Sequence, residues 1–258
     1  MPPKPFPTHF LCIPLVTATS RHQLAASLAS FSADVTSPDS FAVPAGAIRP
    51  VGTLHLTLGV MSFPRNEGVD KAVELLQTLT PAKMLSEARA ATMSNAAAAA
   101  AAIKGQGKVV GGQKDSPAQP LLSVTLKGLH SMQSASKAST LYSSPVDADG
   151  ALQRFCEKLK AAFEEAGFMM SDKRPLLLHA TIVNTIYIKG RRHQGGGKKR
   201  EKITIDARGI LDRYEDNVWM ENVPIEKIAI CRMGAKETED GQDQAYEVEA
   251  EIDVDGTT

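Results

Sequence analysis

Two short segments of the chain share one pattern, a histidine followed two residues later by a threonine. His55 and Thr57 stand in TLHLTLGV, and His179 and Thr181 stand in LHATIVNT. Because side chains i and i+2 of a β-strand point to the same face, each pair should project together, with apolar neighbours on the opposite face. Two such strands beside one groove would bring two imidazoles and two hydroxyls to the same point.

This set of groups suits the cleavage of a phosphodiester. Histidine titrates near neutral pH, so one imidazole can accept a proton while the other protonates the departing alkoxide. The hydroxyls of Thr57 and Thr181 can donate hydrogen bonds to phosphoryl oxygens. The scheme needs no cofactor or metal, and neither motif stands beside an HExxH sequence or an Asp/Glu cluster. A single strand histidine is more often structural than catalytic, but two matching copies favour a function.

Length, charge and cysteine usage limit the class of protein. The chain has 258 residues, with 29 Lys plus Arg and 29 Asp plus Glu, so bulk charge favours neither a nucleic-acid nor a membrane partner. Cys12, Cys156 and Cys231 are far apart in sequence, which favours reduced thiols in a cytoplasmic and/or nuclear protein. No apolar run approaches the ~20 residues of a membrane helix, so we expect no membrane span.

Strand and helix patterns alternate around each motif. The stretch at 128–144 reads as loop and edge structure, and Tyr214 and Trp219 fall in a predicted polar turn. The layout predicts an α+β fold of two similar lobes around a cleft. The predicted strands are residues 9–16, 53–60, 121–129 and 176–188 and the segments KITIDARGI, PIEKIAICRM and AYEVEAEIDV, and the predicted helices are residues 20–33, 66–79 and 147–167, with a further helix from Pro81.

Two segments read as insertions into this layout. Residues 90–118 combine seven consecutive alanines with a Gly, Lys, Gln and Pro mixture, so we expect a low-complexity surface insertion. The basic loop at 190–202 could contact RNA phosphates beside the groove, act as a nuclear localisation signal, or be a solvated loop. Its basic residues are Arg191, Arg192, Lys198, Lys199 and Arg200.

At the two motifs the chain resembles the two-histidine (2H) phosphoesterase superfamily. Within it, the sequence is most similar to the phosphoesterase-like domain of A-kinase anchoring proteins and to the related activating signal cointegrator complex subunit. The stretches THFLCIPL, LHLTLGVM, HATIVNTIY, IDARGILDRY and IEKIAICRMG followed by YEVEAEI carry the resemblance. It covers residues 8–254 as a single domain. It implies a bilobal fold, with two pseudo-symmetric antiparallel-sheet lobes, helices outside and a central groove.

The resemblance also implies a function. It indicates a metal-independent phosphodiesterase that hydrolyses an RNA end, a cyclic nucleotide or a related nucleotide phosphodiester. His55 and His179 would be the acid/base pair, in an order that the sequence leaves open, and Thr57 and Thr181 would hold the phosphate. We expect a monomer without a cofactor. The alternative is a non-catalytic nucleotide- or RNA-binding module in a transcription or repair complex.

Two other residues are candidates for substrate binding. Tyr187 would share the face of His179 and Thr181 if the strand stayed regular, where it could stack on a base or pack at the rim of the groove. Arg174 could contact an anion at the mouth of the cleft.

Overall fold

The computed structural model describes residues 6–103, 122–188 and 203–255, and the side chains of these residues except 95–103. The strands are β1 (His9–Pro14), β2 (His55–Met61), β3 (Ser123–Ser131), β4 (Thr140–Asp147), β5 (Ala180–Asn184), β6 (Val218–Pro224), β7 (Lys227–Arg232), β8 (Lys236–Glu237), β9 (Gln244–Ala245) and β10 (Val248–Asp253). The helices are α1 (Arg21–Thr36), α2 (Val69–Thr78), α3 (Pro81–Ile103), α4 (Leu152–Glu165) and α5 (Arg208–Arg213). No described helix has the length and apolar character needed to cross a membrane.

Two four-stranded antiparallel sheets form the framework. Their strand orders are β10-β7-β1-β2 and β5-β4-β3-β6, so each motif strand lies at the edge of its own sheet. The backbone N–H of Arg49 donates to the carbonyl of Ile182 at 2.9 Å, and Ile48 forms a β-bridge with Val183. The segment that leads into β2 therefore pairs with β5, which confirms the predicted α+β fold and brings the two motifs together.

The helices cross between the two sheets. Helix α1 follows β1 of the first sheet but packs against β6 of the second. Helix α4 follows β4 of the second sheet but packs against β2 of the first. This exchange covers the apolar side of a motif strand with a helix from the other half of the chain. The two sheets consequently share one hydrophobic core.

The predicted apolar stripe of α4 is confirmed. Its members are all fully or almost fully buried: Leu152, Phe155, Cys156, Leu159 and Phe163. The Asp147 carboxylate accepts hydrogen bonds from the backbone N–H groups of Ala151 and Leu152 at 2.6 and 3.1 Å, which satisfies donors left open at the helix start. Gly167 follows the helix with φ of +76°, the conformation that ends helices at glycine.

The prediction of loop and edge structure at 128–144 was wrong at both ends of that stretch, where the chain forms strands; at the first end β3 continues through Ser131. Strand β4 begins at Thr140 and lies inside the second sheet, between β3 and β5. Because β4 contains two serines, its sequence does not show the apolar pattern by which a buried strand is recognised. Ser143 is fully buried, yet its hydroxyl donates to the carbonyl of Lys127, so the polar group is satisfied within the sheet.

Two predictions beyond the basic loop also need correction. In KITIDARGI only Ile205 forms a β-bridge, with Ala138, and the chain then turns into α5, which buries Ile210. Trp219 lies in β6 rather than in a polar turn, and it is fully buried. Its indole N–H donates to the carbonyl of Gly128 at 2.8 Å, so packing against the core overrides the polar character of its neighbours.

The first part of the predicted insertion, residues 90–103, is helical. Helix α3 runs from Pro81 through Ile103, so residues 90–103 continue a helix already packed against α4. Alanine has the highest helix propensity of all residues, which explains this continuation. The rest of the predicted insertion, residues 104–118, lies outside the described residues. The basic residues predicted to contact RNA also lie outside the described residues; they are Arg191, Arg192, Lys198, Lys199 and Arg200.

Candidate active site

His55 is the first residue of β2 and has a hydrogen-bond partner at each ring nitrogen. Its Nδ1 lies 2.8 Å from the backbone carbonyl of Thr53, which can only accept, so Nδ1 carries the proton. In the neutral ring Nε2 is then an acceptor. The hydroxyl of Thr57 lies 2.9 Å from Nε2 and donates to it. The strand alternation predicted for this motif is confirmed, because Leu54, Leu56 and Leu58 are buried on the other face.

His179, immediately before β5, repeats the backbone contact of this arrangement at Nδ1. Its Nδ1 lies 2.8 Å from the carbonyl of Leu177, the residue two positions earlier, as Thr53 is to His55. Nδ1 is therefore the donor and Nε2 is the acceptor of the neutral ring here too. Thr181 follows on the same side, while Ala180 and Ile182 are buried on the other. Both histidines thus have one tautomer fixed by the local backbone.

Burial governs the charge of His55. Desolvation lowers the pKa of its imidazole to about 4, and the hydrogen bond to the Thr53 carbonyl opposes this shift. Electrostatic interactions with Arg49 and then with His179 lower the pKa of His55 further, so both groups lie within electrostatic reach of the ring. His55 is therefore neutral near pH 7, and its Nε2 lone pair accepts the hydrogen bond from Thr57.

Aromatic side chains from other segments of the chain contact both imidazoles. The ring of His55 lies 4.8 Å from Phe10 and 5.2 Å from Tyr246, measured between ring centroids. The ring of His179 lies 5.5 Å from Tyr142. Sequence analysis missed these three aromatic residues, because only the pairing of strands far apart in sequence brings them to the motifs.

Two cavities flank the motifs. The first, of about 380 Å³, is lined by His55, by Phe10, Cys12 and Cys231, and by several charged side chains. The second, of about 600 Å³, contains Thr57 and His179 beside three methionines. Those methionines are Met132, Met169 and Met170. The motifs therefore lie between two partly apolar hollows large enough for organic groups.

Residues 7–254 match the family model described as the AKAP7 2′5′ RNA ligase-like domain. The chain belongs to this family. The resemblance to 2H phosphoesterases that the motifs indicated is thereby confirmed, and membership supports a phosphodiester-processing activity in general. In this AKAP7 2′5′ RNA ligase-like domain, the matched range includes both motifs and both sheets.

Individual relatives are more distant. The uncharacterized protein C15D4.13c of Schizosaccharomyces pombe is 31% identical over 115 residues, which cover 44% of this chain and 50% of that protein. The alignment thus spans about half the length of that curated relative. TT0787 of Thermus thermophilus aligns over 97% of this chain and 100% of its own, with a TM-score of 0.51 and 13% identity, and shows the shared fold. E. coli LigT complexed with 3′-AMP aligns over 96% of this chain and 97% of its own, with a TM-score of 0.46 and 14% identity.

The two other predicted site residues lie in different surroundings from those expected. Strand β5 ends at Asn184, so Tyr187 lies in a 3₁₀ turn instead of on the strand. The guanidinium carbon of Arg49 lies 3.8 Å from the centroid of the Tyr187 ring. Arg174 lines the second cavity, but its guanidinium pairs with the Asp172 carboxylate at 2.7 Å.

Sequence analysis also missed Arg49 itself. It is only 5% exposed, although arginine is rarely buried without a partner. The one local signal is its position before Pro50, six residues upstream of His55, and that signal does not indicate burial. Within the described ranges, no group of three or more His, Cys, Asp or Glu side chains is arranged to hold a metal ion.

Proposed function

We propose that this domain is a metal-independent phosphodiesterase that hydrolyses an RNA end, a cyclic nucleotide or a related nucleotide phosphodiester, with His55 and His179 as its acid/base pair. One observation carries the proposal. Each histidine donates Nδ1–H to the carbonyl two residues earlier, so in both rings Nε2 is the nitrogen that can exchange protons with a ligand, in His55 once the Thr57 hydroxyl turns to that ligand. A fixed tautomer on both sides of one groove is what paired acid and base catalysis requires.

The different surroundings of the two imidazoles suggest their order. His55 is neutral near pH 7, so we assign it as the base that accepts a proton from the attacking water at Nε2. The water oxygen then bonds to phosphorus. The bond from phosphorus to the leaving oxygen breaks, and the protonated form of His179 delivers a proton to that oxygen. The products are a phosphomonoester and an alcohol, or one opened ring when the substrate is cyclic.

The threonines would hold the phosphate during this exchange. A phosphoryl oxygen that accepts the hydroxyl proton of Thr57 would replace His55 Nε2 as its partner, and Thr181 would donate from the second strand. The two cavities support substrate groups on either side of the phosphorus. The rim residues Tyr187 and Arg174 would then contact the ligand only at its edges. For a longer RNA we propose that further phosphate contacts come from the basic side chains of Arg191, Arg192, Lys198, Lys199 and Arg200, whose positions lie outside the described residues.

The test is an assay of EDTA-treated protein on 2′,3′-cyclic nucleotides and short RNAs with defined 3′ ends. We expect His55→Ala and His179→Ala each to lower kcat/KM by about 10²- to 10⁴-fold. His22→Ala is the matched control, because His22 is an exposed residue of α1, and it should retain full turnover. Circular dichroism and thermal unfolding establish that all three variants are folded.

Three results would contradict parts of the proposal. Unchanged turnover in both motif variants would exclude the acid/base roles. Turnover lost on EDTA treatment and restored by a divalent cation would exclude metal independence. Binding of AMP in the groove without hydrolysis of any phosphodiester would favour the nucleotide-binding module instead.

A further inference from the structure

Arg49 is a buried cation close to the proposed site. Its guanidinium lies over the ring of Tyr187, at 3.8 Å, and its Nη2 lies 3.5 Å from the hydroxyl oxygen of Tyr246. Within residues 6–103, 122–188 and 203–255, no carboxylate forms an ion pair with it. A buried charge without a counter-charge is costly, so proteins rarely keep one without a use.

The backbone of Arg49 fixes where this charge stands. Its N–H donates to the carbonyl of Ile182 in the second motif strand. Pro50 follows and leads into a 3₁₀ turn at 51–53 that ends two residues before His55. Arg49 therefore pairs with one motif strand through its backbone and approaches the other motif through its side chain.

The tyrosines around Arg49 do not neutralise it. Burial, followed by the influence of Tyr187, raises the pKa of Tyr246 to about 12, so its hydroxyl is uncharged near neutral pH. The ring of Tyr246 in turn meets His55 edge to face at 5.2 Å. The positive charge of Arg49 is thus linked to His55 through the neutral phenol of Tyr246, which contacts both residues.

We propose that Arg49 determines ligand specificity: its charge makes the groove beside His55 selective for a phosphate-bearing ligand over the neutral counterpart of that ligand. The inference rests on the proposed function, because it assumes that the phosphate binds between the two motifs. Arg49 supplies a fixed positive potential in a region from which water is largely removed, where a charge acts more strongly than at the surface. The anion provides the counter-charge that the described carboxylates do not.

The test compares the binding of 5′-AMP and adenosine by isothermal titration calorimetry. Arg49→Met removes the charge and keeps an apolar chain over Tyr187, while Arg49→Lys keeps the charge. We expect Arg49→Met to weaken AMP binding by about tenfold or more and to leave adenosine binding within about twofold. Arg49→Lys should keep most of the preference for AMP. Arg49→Gln provides a second neutral variant in case the methionine variant folds poorly.

The matched control is Arg65→Gln, which causes the same change in net charge. Arg65 is highly exposed, pairs with Glu67, and follows the end of β2 that is farthest from His55. It should not alter either affinity. An independent readout is the pKa of His55, measured by NMR, which should rise in Arg49→Met and stay low in Arg49→Lys, because Arg49 lowers it through charge. Two other titratable side chains near His55, those of His179 and Tyr246, are not substituted in any of these variants.

Either of two results would overturn the inference. One is equal weakening of AMP and adenosine in Arg49→Met, which is the sign of a purely structural role. The other is a wild-type protein that binds AMP no more tightly than adenosine. Failure of the proposed hydrolysis would be distinct, because it would leave the binding preference intact while the wild type shows no turnover.

Discussion

The hydroxyl oxygen of Thr57 lies 2.9 Å from Nε2 of His55, so the two polar groups of the first motif are hydrogen-bonded to each other. Since Nδ1 donates to the Thr53 carbonyl, the threonine must be the donor in this contact. If the Thr57 hydroxyl donates its hydrogen bond to a phosphoryl oxygen instead, Nε2 of His55 becomes free. One rotation of a hydroxyl would thereby couple phosphate binding to the availability of the base.

This coupling predicts a difference between two substitutions of Thr57. Thr57→Val keeps the shape of the side chain and removes the donor, so we expect kcat to fall by about 10²-fold, as for the loss of one transition-state hydrogen bond. Thr57→Ser keeps the hydroxyl and should stay within about fivefold of the wild type, since the donor remains. Single-turnover assays of both variants measure the difference. Equal rates for Thr57→Val and the wild type would show that Thr57 holds no reacting group.

The lowered pKa of His55 predicts how stability depends on pH. In the unfolded chain the imidazole has a pKa of about 6.5. Burial lowers it to about 4 in the folded protein. Between these values the unfolded state binds a proton that the folded state does not, so stability is lost as pH falls from 7 towards 4. His55→Gln should show a shallower loss.

Urea unfolding at pH 7.5 and pH 5.0 checks this prediction. The midpoint of the wild type should fall more between the two pH values than the midpoint of His55→Gln. His22→Gln, at an exposed position on α1, should follow the wild type. Parallel pH profiles for the wild type and His55→Gln would contradict the prediction.

Gly52 lies where two segments approach too closely for a side chain. A Cβ atom there would stand 2.5 Å from the carbonyl oxygen of Gln244, and the Gly52 N–H donates to both carboxylate oxygens of Asp243 at 3.0 Å. We expect Gly52→Ala to destabilise the protein by about 2 kcal/mol, because the clash is with backbone. It should also slow turnover by displacing Thr53, whose carbonyl orients His55. Gly46→Ala is the control, since its nearest contacts would be an ordinary 3.7 Å.

Urea midpoints and kcat of the two glycine variants check this expectation. If Gly52→Ala unfolds at the same midpoint as Gly46→Ala, the segment at 243–245 can move away without cost. The close approach would then have no structural role.

Trp219 should support stability rather than chemistry. It is fully buried against Phe31, with ring centroids 5.1 Å apart, and its N–H donates to the carbonyl of Gly128. Trp219→Phe leaves that carbonyl without its donor and creates a cavity, so we expect a loss of about 2 to 3 kcal/mol. Below the new melting temperature, kcat should be unchanged. Val218→Thr, at the exposed neighbouring position, is the control, and circular dichroism is the measurement because the chain has a single tryptophan.

The features that sequence analysis predicted correctly are those that a local pattern specifies. The burial of Leu54, Leu56 and Leu58 follows from alternation along one strand, and the stripe of α4 follows from helical spacing. Strand β4 and helix α5 escaped prediction because their identity depends on neighbours. Ser143 is acceptable in a buried strand only because the Lys127 carbonyl lies beside it.

The sequence by itself determined the two His-x-Thr motifs, the face on which each pair projects, and the family to which they point. Tertiary structure decided what surrounds them. It brought Arg49, Tyr187 and Tyr246 together from three separate segments, buried His55 deeply enough to lower its pKa, and packed α4 of one half against β2 of the other. The reason is physical. A strand or helix pattern reflects interactions within a few residues, whereas burial and charge at a site depend on contacts between residues far apart in the chain, which only the packing of the whole core selects.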